Sequence, residues 1–158
     1  GLVRDRGEAF SGILSSHSEY YVSQYAPDPV ATVRLIHNAG GVSIIAHPAG
    51  RTGVLPHGVL ARMIAAGLGG FELAHRENTP EGIRALETLV AEHNLIVTGS
   101  SDYHGLGKPN LPGENTTADV MVERIIAAGT GCAPVLAEAY ARQSWHSQLV
   151  VSASGTAA

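Results

Sequence analysis

Leu95-Ile96-Val97-Thr98-Gly99-Ser100-Ser101-Asp102-Tyr103-His104 has a structural half and a chemical half. The apolar, β-branched run followed by glycine and serine predicts a buried strand over 95–99. Beyond it, Asp102 and His104 stand two residues apart at a strand end, so both point to one side. Carboxylate and imidazole are good ligands for a divalent metal. An earlier run, Gly41-Val42-Ser43-Ile44-Ile45-Ala46, reads as another strand and ends the same way, in His47-Pro48. Barrel and open α/β enzymes build their sites from groups delivered at the C-terminal ends of strands. The pattern points to a metal site.

Outward from these strands the chain alternates. Residues 8–25 carry Phe10, Ile13, Leu14, Tyr20, Tyr21, Val22 and Tyr25, spaced for a short helix and an irregular packed segment. Pro27-Asp28-Pro29 breaks it, and a helix is predicted from about Pro29 to His37, ended by Gly40-Gly41. A helix around 57–66 carries Val59, Leu60, Met63 and Ile64. Gly67-Leu68-Gly69-Gly70 then turns the chain into a strand, Phe71-Glu72-Leu73-Ala74. Thr79 is a good N-cap, Pro80 suits the first helical position, and Glu81 suits the positive end of the dipole. That helix is predicted to reach about His93, with Ile83, Leu86, Leu89 and Val90 inward. Residues 105–116 form a Gly-, Pro- and Asn-rich loop, and Thr117 is read as the cap of a last helix through Ala128.

The order α-β-α-β-α-β-α implies an α/β fold with parallel strands and right-handed crossovers. A closed β/α barrel takes about 250 residues, so three strands in this length suit part of a barrel or a small open sheet.

The 158 residues suit one domain, expected over 1–150, with 151–158 a disordered tail. With 44% hydrophobic and 15% charged residues, the chain should bury a core. A net charge of −4 argues against strong non-specific nucleic-acid binding but leaves room for a short nucleotide at a metal site. The single cysteine, Cys132, excludes an internal disulfide, fits a reducing compartment and is expected to be an inert buried thiol. No apolar stretch approaches the roughly 20 residues that span a bilayer, and no signal peptide is visible. A soluble cytoplasmic protein is the expectation. Gly1 is not a methionine, and Leu2–Gly7 reads as the tail of an element begun earlier, so truncation of a longer protein is expected.

Zincin, C-x-x-C, dinucleotide-fingerprint and Walker patterns are absent. The candidates therefore cluster at the strand ends, and each has a plainer reading beside the chemical one. His47 could be a hydrogen-bonded strand-end histidine, Asp102 a turn cap, and His104 a solvent-facing loop residue. Glu72 interrupts an apolar strand, where an unpaired carboxylate is costly, so it either supports a ligand or faces a polar interior. Ser100, Ser101 and Glu72 are candidates to fix a ligand ring. His75 and Arg51 lie on the same rim, and the planar fork of Arg51 suits phosphate. Lys108, on a mobile loop, touches either an anionic substrate or nothing. His17, His37, His57, His93 and His146 read as structural or exposed, and Tyr140 and Trp145 as packing the final segment.

Three segments together are specific: Gly40-Gly41-Val42-Ser43-Ile44-Ile45-Ala46-His47-Pro48, Gly70-Phe71-Glu72-Leu73, and Thr98-Gly99-Ser100-Ser101-Asp102-Tyr103-His104-Gly105. In this order they resemble the later half of a PHP (polymerase and histidinol phosphatase) domain, nearest its stand-alone metal-dependent phosphoesterases. Gly7-Glu8-Ala9-Phe10 and Tyr20-Tyr21-Val22 resemble the region just upstream, so the likeness covers residues 5–130.

The resemblance implies a distorted β/α barrel with a small metal cluster at the strand ends. His47, Asp102 and His104 match three ligand positions, for Mn, Fe, Zn or Mg. Arg51 and His75 would then meet the substrate phosphate, with Glu72 behind the ligands. The implied reaction is attack of a metal-activated water on a phosphomonoester, or on a phosphodiester of a nucleotide or short RNA. A sugar-phosphate phosphatase such as histidinol phosphatase is the enzymatic alternative. The family's opening His-x-His has no counterpart here, so the remaining ligands are expected upstream, on another chain, or nowhere. A non-catalytic metal-binding or interaction remnant is thus the rival reading. A half-barrel with open edges should also self-associate or need a complementing segment.

Overall fold

β2 (Gly70–Ala74) lies between β1 (Ile44–Ile45) and β3 (Ile96–Gly99) in a wholly parallel sheet. In this computed structural model, residues 2–50 and 52–135 are described. Among them, α1 (Arg6–Ser11) and α2 (Pro29–Asn38) precede β1, and α3 (His57–Ala65) joins β1 to β2. Helix α4 (Pro80–His93) joins β2 to β3, and α5 (Asp119–Ala128) follows β3. The mixed α/β fold with a parallel sheet is the one the alternation predicts. Arg51, Tyr140, Trp145, His146, the 150 boundary and the 151–158 tail lie outside the described residues.

The helix boundaries follow local chemistry. Thr79 accepts a hydrogen bond from the Gly82 N–H at 3.2 Å, with Pro80 in the first turn, as the sequence indicates. Asp28 caps α2 in the same way through the Ala31 N–H at 2.9 Å. Helix α4 stops at Asn94, which adopts φ of 49°, a left-handed conformation that asparagine tolerates better than most residues.

Phe71 on the central strand and Leu86 on α4 are the fully buried large side chains of the core. Val33, Leu60, Met63, Leu68, Leu73, Leu89 and Leu95 pack with them, drawing on α2, α3, α4 and the strand entries. Helix α2 rests on α3, α4 on β2 and α5 on β3. This core fixes the strand ends, where the candidate residues sit.

Four expectations need correction. The strand predicted over 41–46 pairs only at Ile44 and Ile45. Just before it, the Gly40 carbonyl accepts from the Thr130 and Gly131 N–H groups at 3.0 and 3.1 Å, so that stretch is held from outside the sheet. Thr117 does not cap α5; its hydroxyl accepts from the Gly99 N–H at 3.0 Å and donates to the Gly99 carbonyl at 3.1 Å, and Ala118 takes the cap position.

The 8–25 segment is not packed. Phe10, Leu14, Tyr20, Tyr21, Val22 and Tyr25 are all exposed, and its hydrogen bonds are short-range turns such as Tyr21 N–H to Ser18 O at 3.0 Å. Cys132 is exposed, not buried: it lies past α5, where no element among the described residues covers it. No helix among the described residues is long and apolar enough to cross a membrane.

Leu86 gives a direct test of the core. Leu86→Ala should lower unfolding free energy by about 2–5 kcal/mol, read from urea denaturation. A loss below about 1 kcal/mol would mean that α4 does not close the core against β2.

Candidate functional site

The site is built from the turns that leave the three strands. After β1 the chain bends sharply at His47, with φ of 33°, and after β3 it bends at Asp102, with φ of 47°. Both residues carry a Cβ in a region that normally favours glycine, and Asn94 is the other such residue among those described. Strain of this kind costs roughly 1–3 kcal/mol per residue and persists only where the surroundings enforce it.

Those surroundings can be named. Glu72 accepts the His47 backbone N–H at 2.9 Å. Asn78 accepts the Ala49 N–H at 2.9 Å and donates to the Glu72 and Leu73 carbonyls at 2.8 and 3.0 Å. The first turn of α4 comes so close to this loop that a Cβ at Gly82 would lie 2.5 Å from the Ala49 Cβ. Glycine is required there by space.

At Asp102 the backbone N–H donates to Ser100 Oγ at 3.2 Å, and Asn110, itself buried, donates to the Ser101 carbonyl at 2.8 Å. Ser101 Oγ reaches the Asn115 carbonyl at 3.3 Å. The 105–116 loop, expected to be mobile, is therefore stitched to the end of β3.

These turns bring the predicted groups onto one rim. The rings of His47 and His75 lie 5.1 Å apart between centroids. His75 Nε2 stands 3.8 Å from Asp102 Oδ2, and His104 Nδ1 stands 3.4 Å from Asp102 Oδ1. His47, His75, Asp102 and His104 thus form a continuous line across the strand ends. Arg51 lies outside the described residues.

The hydrogen bonds define what each ring can do. His75 Nδ1 accepts the Glu77 N–H at 3.1 Å, so a neutral ring carries its proton on Nε2. That Nε2 is buried and has no hydrogen-bond partner among the described residues. His75 therefore presents a donor, not a lone pair, toward Asp102. His104 Nδ1 lies 2.7 Å from the Asp102 carbonyl, which places the proton on Nδ1 and leaves Nε2 as the lone pair. The serines expected to fix a ligand ring serve the backbone instead, and Glu72 holds the His47 main chain.

Lys108 is the residue that sequence reasoning undervalued. Its ammonium is hydrogen-bonded to Asp102 Oδ2 and lies 3.6 Å from Glu77 Oε1. The Lys108 hydrogen bond holds the Asp102 carboxyl below the usual aspartate range against the opposing effect of burial, and Asp102 raises Lys108 in return. Nearby, Arg76 grips Glu114 through two hydrogen bonds of 2.9 and 3.0 Å. That grip, with the Leu111 N–H, lowers Glu114 to about 2.

The donors match a divalent metal in kind but not in arrangement. Imidazole and carboxylate are suitable ligands, yet no group of three or more His, Cys, Asp or Glu side chains among the described residues is placed to hold an ion. An ammonium, not a third ligand, completes the surroundings of Asp102.

Parallel α/β sheets place binding and catalytic groups at their strand ends, as here, and the comparisons narrow the class. No family model matches the chain. It is 35% identical over 74 residues to a phosphoribosyl 1,2-cyclic phosphate 1,2-diphosphodiesterase of Eggerthella lenta, covering 46% of this chain and 27% of that protein. It is 30% identical to a 5′-3′ exoribonuclease of Haemophilus influenzae, covering 66% of this chain and 39% of that one. The same identity relates it to a 3′,5′-nucleoside bisphosphate phosphatase of Chromobacterium violaceum, covering 68% and 39%.

Among solved structures, a candidate metal-dependent phosphoesterase of Bifidobacterium adolescentis superposes with a TM-score of 0.73 at 40% identity, covering 82% of this chain and 46% of that one. An amidohydrolase of Chromobacterium violaceum with bound sulfate superposes with a TM-score of 0.56 at 26% identity. The resemblance read from the sequence is borne out: the chain is homologous to PHP-type phosphoesterases. It spans less than half the length of each of these relatives.

The Glu114 carboxyl sets an acid limit on the loop. Its folded pKa is depressed, so its contribution is present above the ordinary 4.5 and is lost as pH falls from there toward about 2. Hydrogen exchange of the 108–117 amides should accelerate, relative to the core, across that window. Glu114→Gln should flatten the effect; an unchanged acid profile in the variant would assign it to another group.

Proposed function

We propose that the chain is the later part of a PHP-type phosphoesterase and that its sheet is a portion of a distorted β/α barrel. The reaction is hydrolysis of a phosphomonoester, or of a phosphodiester of a nucleotide or short RNA. One observation carries this reading: His47, His75, Asp102 and His104 share one rim at the strand ends, in a chain 40% identical in sequence to the Bifidobacterium neighbour it superposes on. The relatives' activities on cyclic phosphate, RNA and nucleoside bisphosphate support the substrate class. We place the protein in the cytoplasm on its single cysteine.

His47, Asp102 and His104 are the ligands we assign, with Mn, Fe, Zn or Mg as the candidate ions. A bound divalent ion would supply charge neutralisation at phosphate oxygens and a more acidic water. The chain's own side chains do the rest. Glu72 holds the His47 turn through its N–H, so the ring leaves β1 at a fixed angle. His104 keeps its Nε2 lone pair outward because its Nδ1 is tied to the Asp102 carbonyl. His75, assigned from the sequence to the substrate phosphate, is buried and turns its Nε2 donor toward Asp102 Oδ2 at 3.8 Å, so its part is to support that carboxylate. Arg51 is assigned to the same phosphate, through its two-pronged guanidinium.

A full cluster needs donors beyond these, and we assign them to protein outside these residues. The ligand shortfall among the described residues favours one rival, a metal-binding or interaction module without turnover. Two measurements separate the readings. With added Mn, the enzyme should hydrolyse a nucleoside 3′,5′-bisphosphate or p-nitrophenyl phosphate. Asp102→Asn and His47→Ala should each lower kcat/KM by at least roughly 100-fold while the circular dichroism melt is retained. Asn tolerates the left-handed backbone of position 102, so the first variant isolates the carboxylate. No turnover by the intact protein, with metal content unchanged in His47→Ala, would sink the enzymatic reading.

A further inference from the structure

Phe10 is an aromatic side chain that the fold leaves uncovered: it is 57% exposed on α1, with a guanidinium laid over it. The Arg6 Cζ stands 5.2 Å from the ring centroid, a favourable pairing of a cation with an aromatic face. Arg6 also reaches across to the strand-end loop. Its Nη1 donates to the Gly107 carbonyl at 2.5 Å, and a Cβ at Gly107 would lie 3.1 Å from Arg6 Cδ. Glycine at 107 therefore lets the arginine lie along the turn that leads to Lys108.

Arg6 forms one wall of a cleft of about 500 Å³, with Arg76, Lys108, Pro109 and Asn110 among its other walls. The cleft adjoins the rim, since Lys108 is hydrogen-bonded to Asp102 and Arg76 directly follows His75. A volume of that size falls within the range of small-ligand sites. Lys108 faces Asp102 and Glu77, and Arg76 faces Glu114, so those charges are matched. Arg6 has no carboxylate partner among the described residues, and among them it commits one of its five N–H donors.

We propose that Arg6, Phe10 and this cleft form a subsite for the nucleotide next to the scissile phosphate, so that the preferred substrate is a short single-stranded oligonucleotide. The inference rests on the phosphoesterase reading of the rim and selects among its substrates. A lone phosphate or sugar phosphate needs only a cation. A nucleotide needs a charge for its phosphate and a flat apolar face for its base, and residues four apart on α1 supply both. Arg6 takes the neighbouring phosphate through its uncommitted N–H groups, and the exposed Phe10 ring stacks the base. Stacking tolerates any base, so the subsite reads chain length and not sequence.

The test uses the full chain with chelator present, so that binding is read apart from turnover. The probes are an end-labelled, 5′-phosphorylated tetra-adenylate and, as competitor, adenosine 5′-monophosphate. Fluorescence anisotropy should show the tetranucleotide bound at least roughly tenfold tighter than the monophosphate. Phe10→Ala should cost the tetranucleotide about fivefold, the lower end of base–aromatic stacking. Arg6→Gln should weaken it too and make the salt slope shallower by about 0.7, the loss of one phosphate contact. Arg34→Gln removes the same charge from α2, where Arg34 is exposed, and should change affinity less than about twofold.

Equal affinity for the two probes, or no binding of either, overturns the proposal. A Phe10→Ala variant that binds as wild type does so as well, and so does an equal loss in Arg6→Gln and Arg34→Gln, which assigns the effect to net charge. Both cleft residues are exposed, and the wild-type length preference is a readout that needs no variant. Added Mn then separates this inference from the reading beneath it. Length preference without hydrolysis of any probe keeps an oligonucleotide-binding surface and sinks the enzyme, whereas hydrolysis of p-nitrophenyl phosphate without length preference does the reverse.

Discussion

The side-chain amide of Asn78 is the tie on which the strand-end geometry depends. Its carbonyl takes the Ala49 N–H and its amino group serves the Glu72 and Leu73 carbonyls. The reason lies in β2. The pairing with β3 shifts register between Glu72 and Ala74, an irregularity that turns main-chain groups away from the ladder. Buried polar groups must then find partners elsewhere, and Asn78 provides three contacts at once. The same amide anchors the loop that carries His47. One side chain thus couples two of the strand ends.

Strain is the second organising feature. His47 and Asp102 both sit at positive φ, at the turns that leave β1 and β3. Backbone outliers cluster where function requires a fixed side-chain direction, and here both fall on residues singled out for their chemistry.

Much of this was legible in the residues. Thr79-Pro80-Glu81 marked a helix start because capping is a local matter of a few residues. The run at 95–99 and the Asp-x-His beyond it marked a strand and its exit for the same reason. What could not be read was long-range. Thr117 has the chemistry of a cap, but Gly99, eighteen residues earlier, offers both a donor and an acceptor for its hydroxyl. Asn78 sits in an unremarkable loop, and only folding brings Ala49 to it from 29 residues away. The aromatic spacing of 8–25 signalled packing, yet apolar periodicity cannot say whether a partner surface exists. A lysine six residues past an aspartate in a glycine-rich loop carried no sign that the two would meet.

The left-handed turns have a consequence for anyone altering this protein. At positions 47 and 102 the fold pays for a β-carbon it does not want, so glycine at either would relax the backbone. A library screened for heat resistance alone would drift toward such replacements and discard the imidazole and the carboxylate as it did so. Selection for robustness and selection for chemistry pull in opposite directions at these two codons.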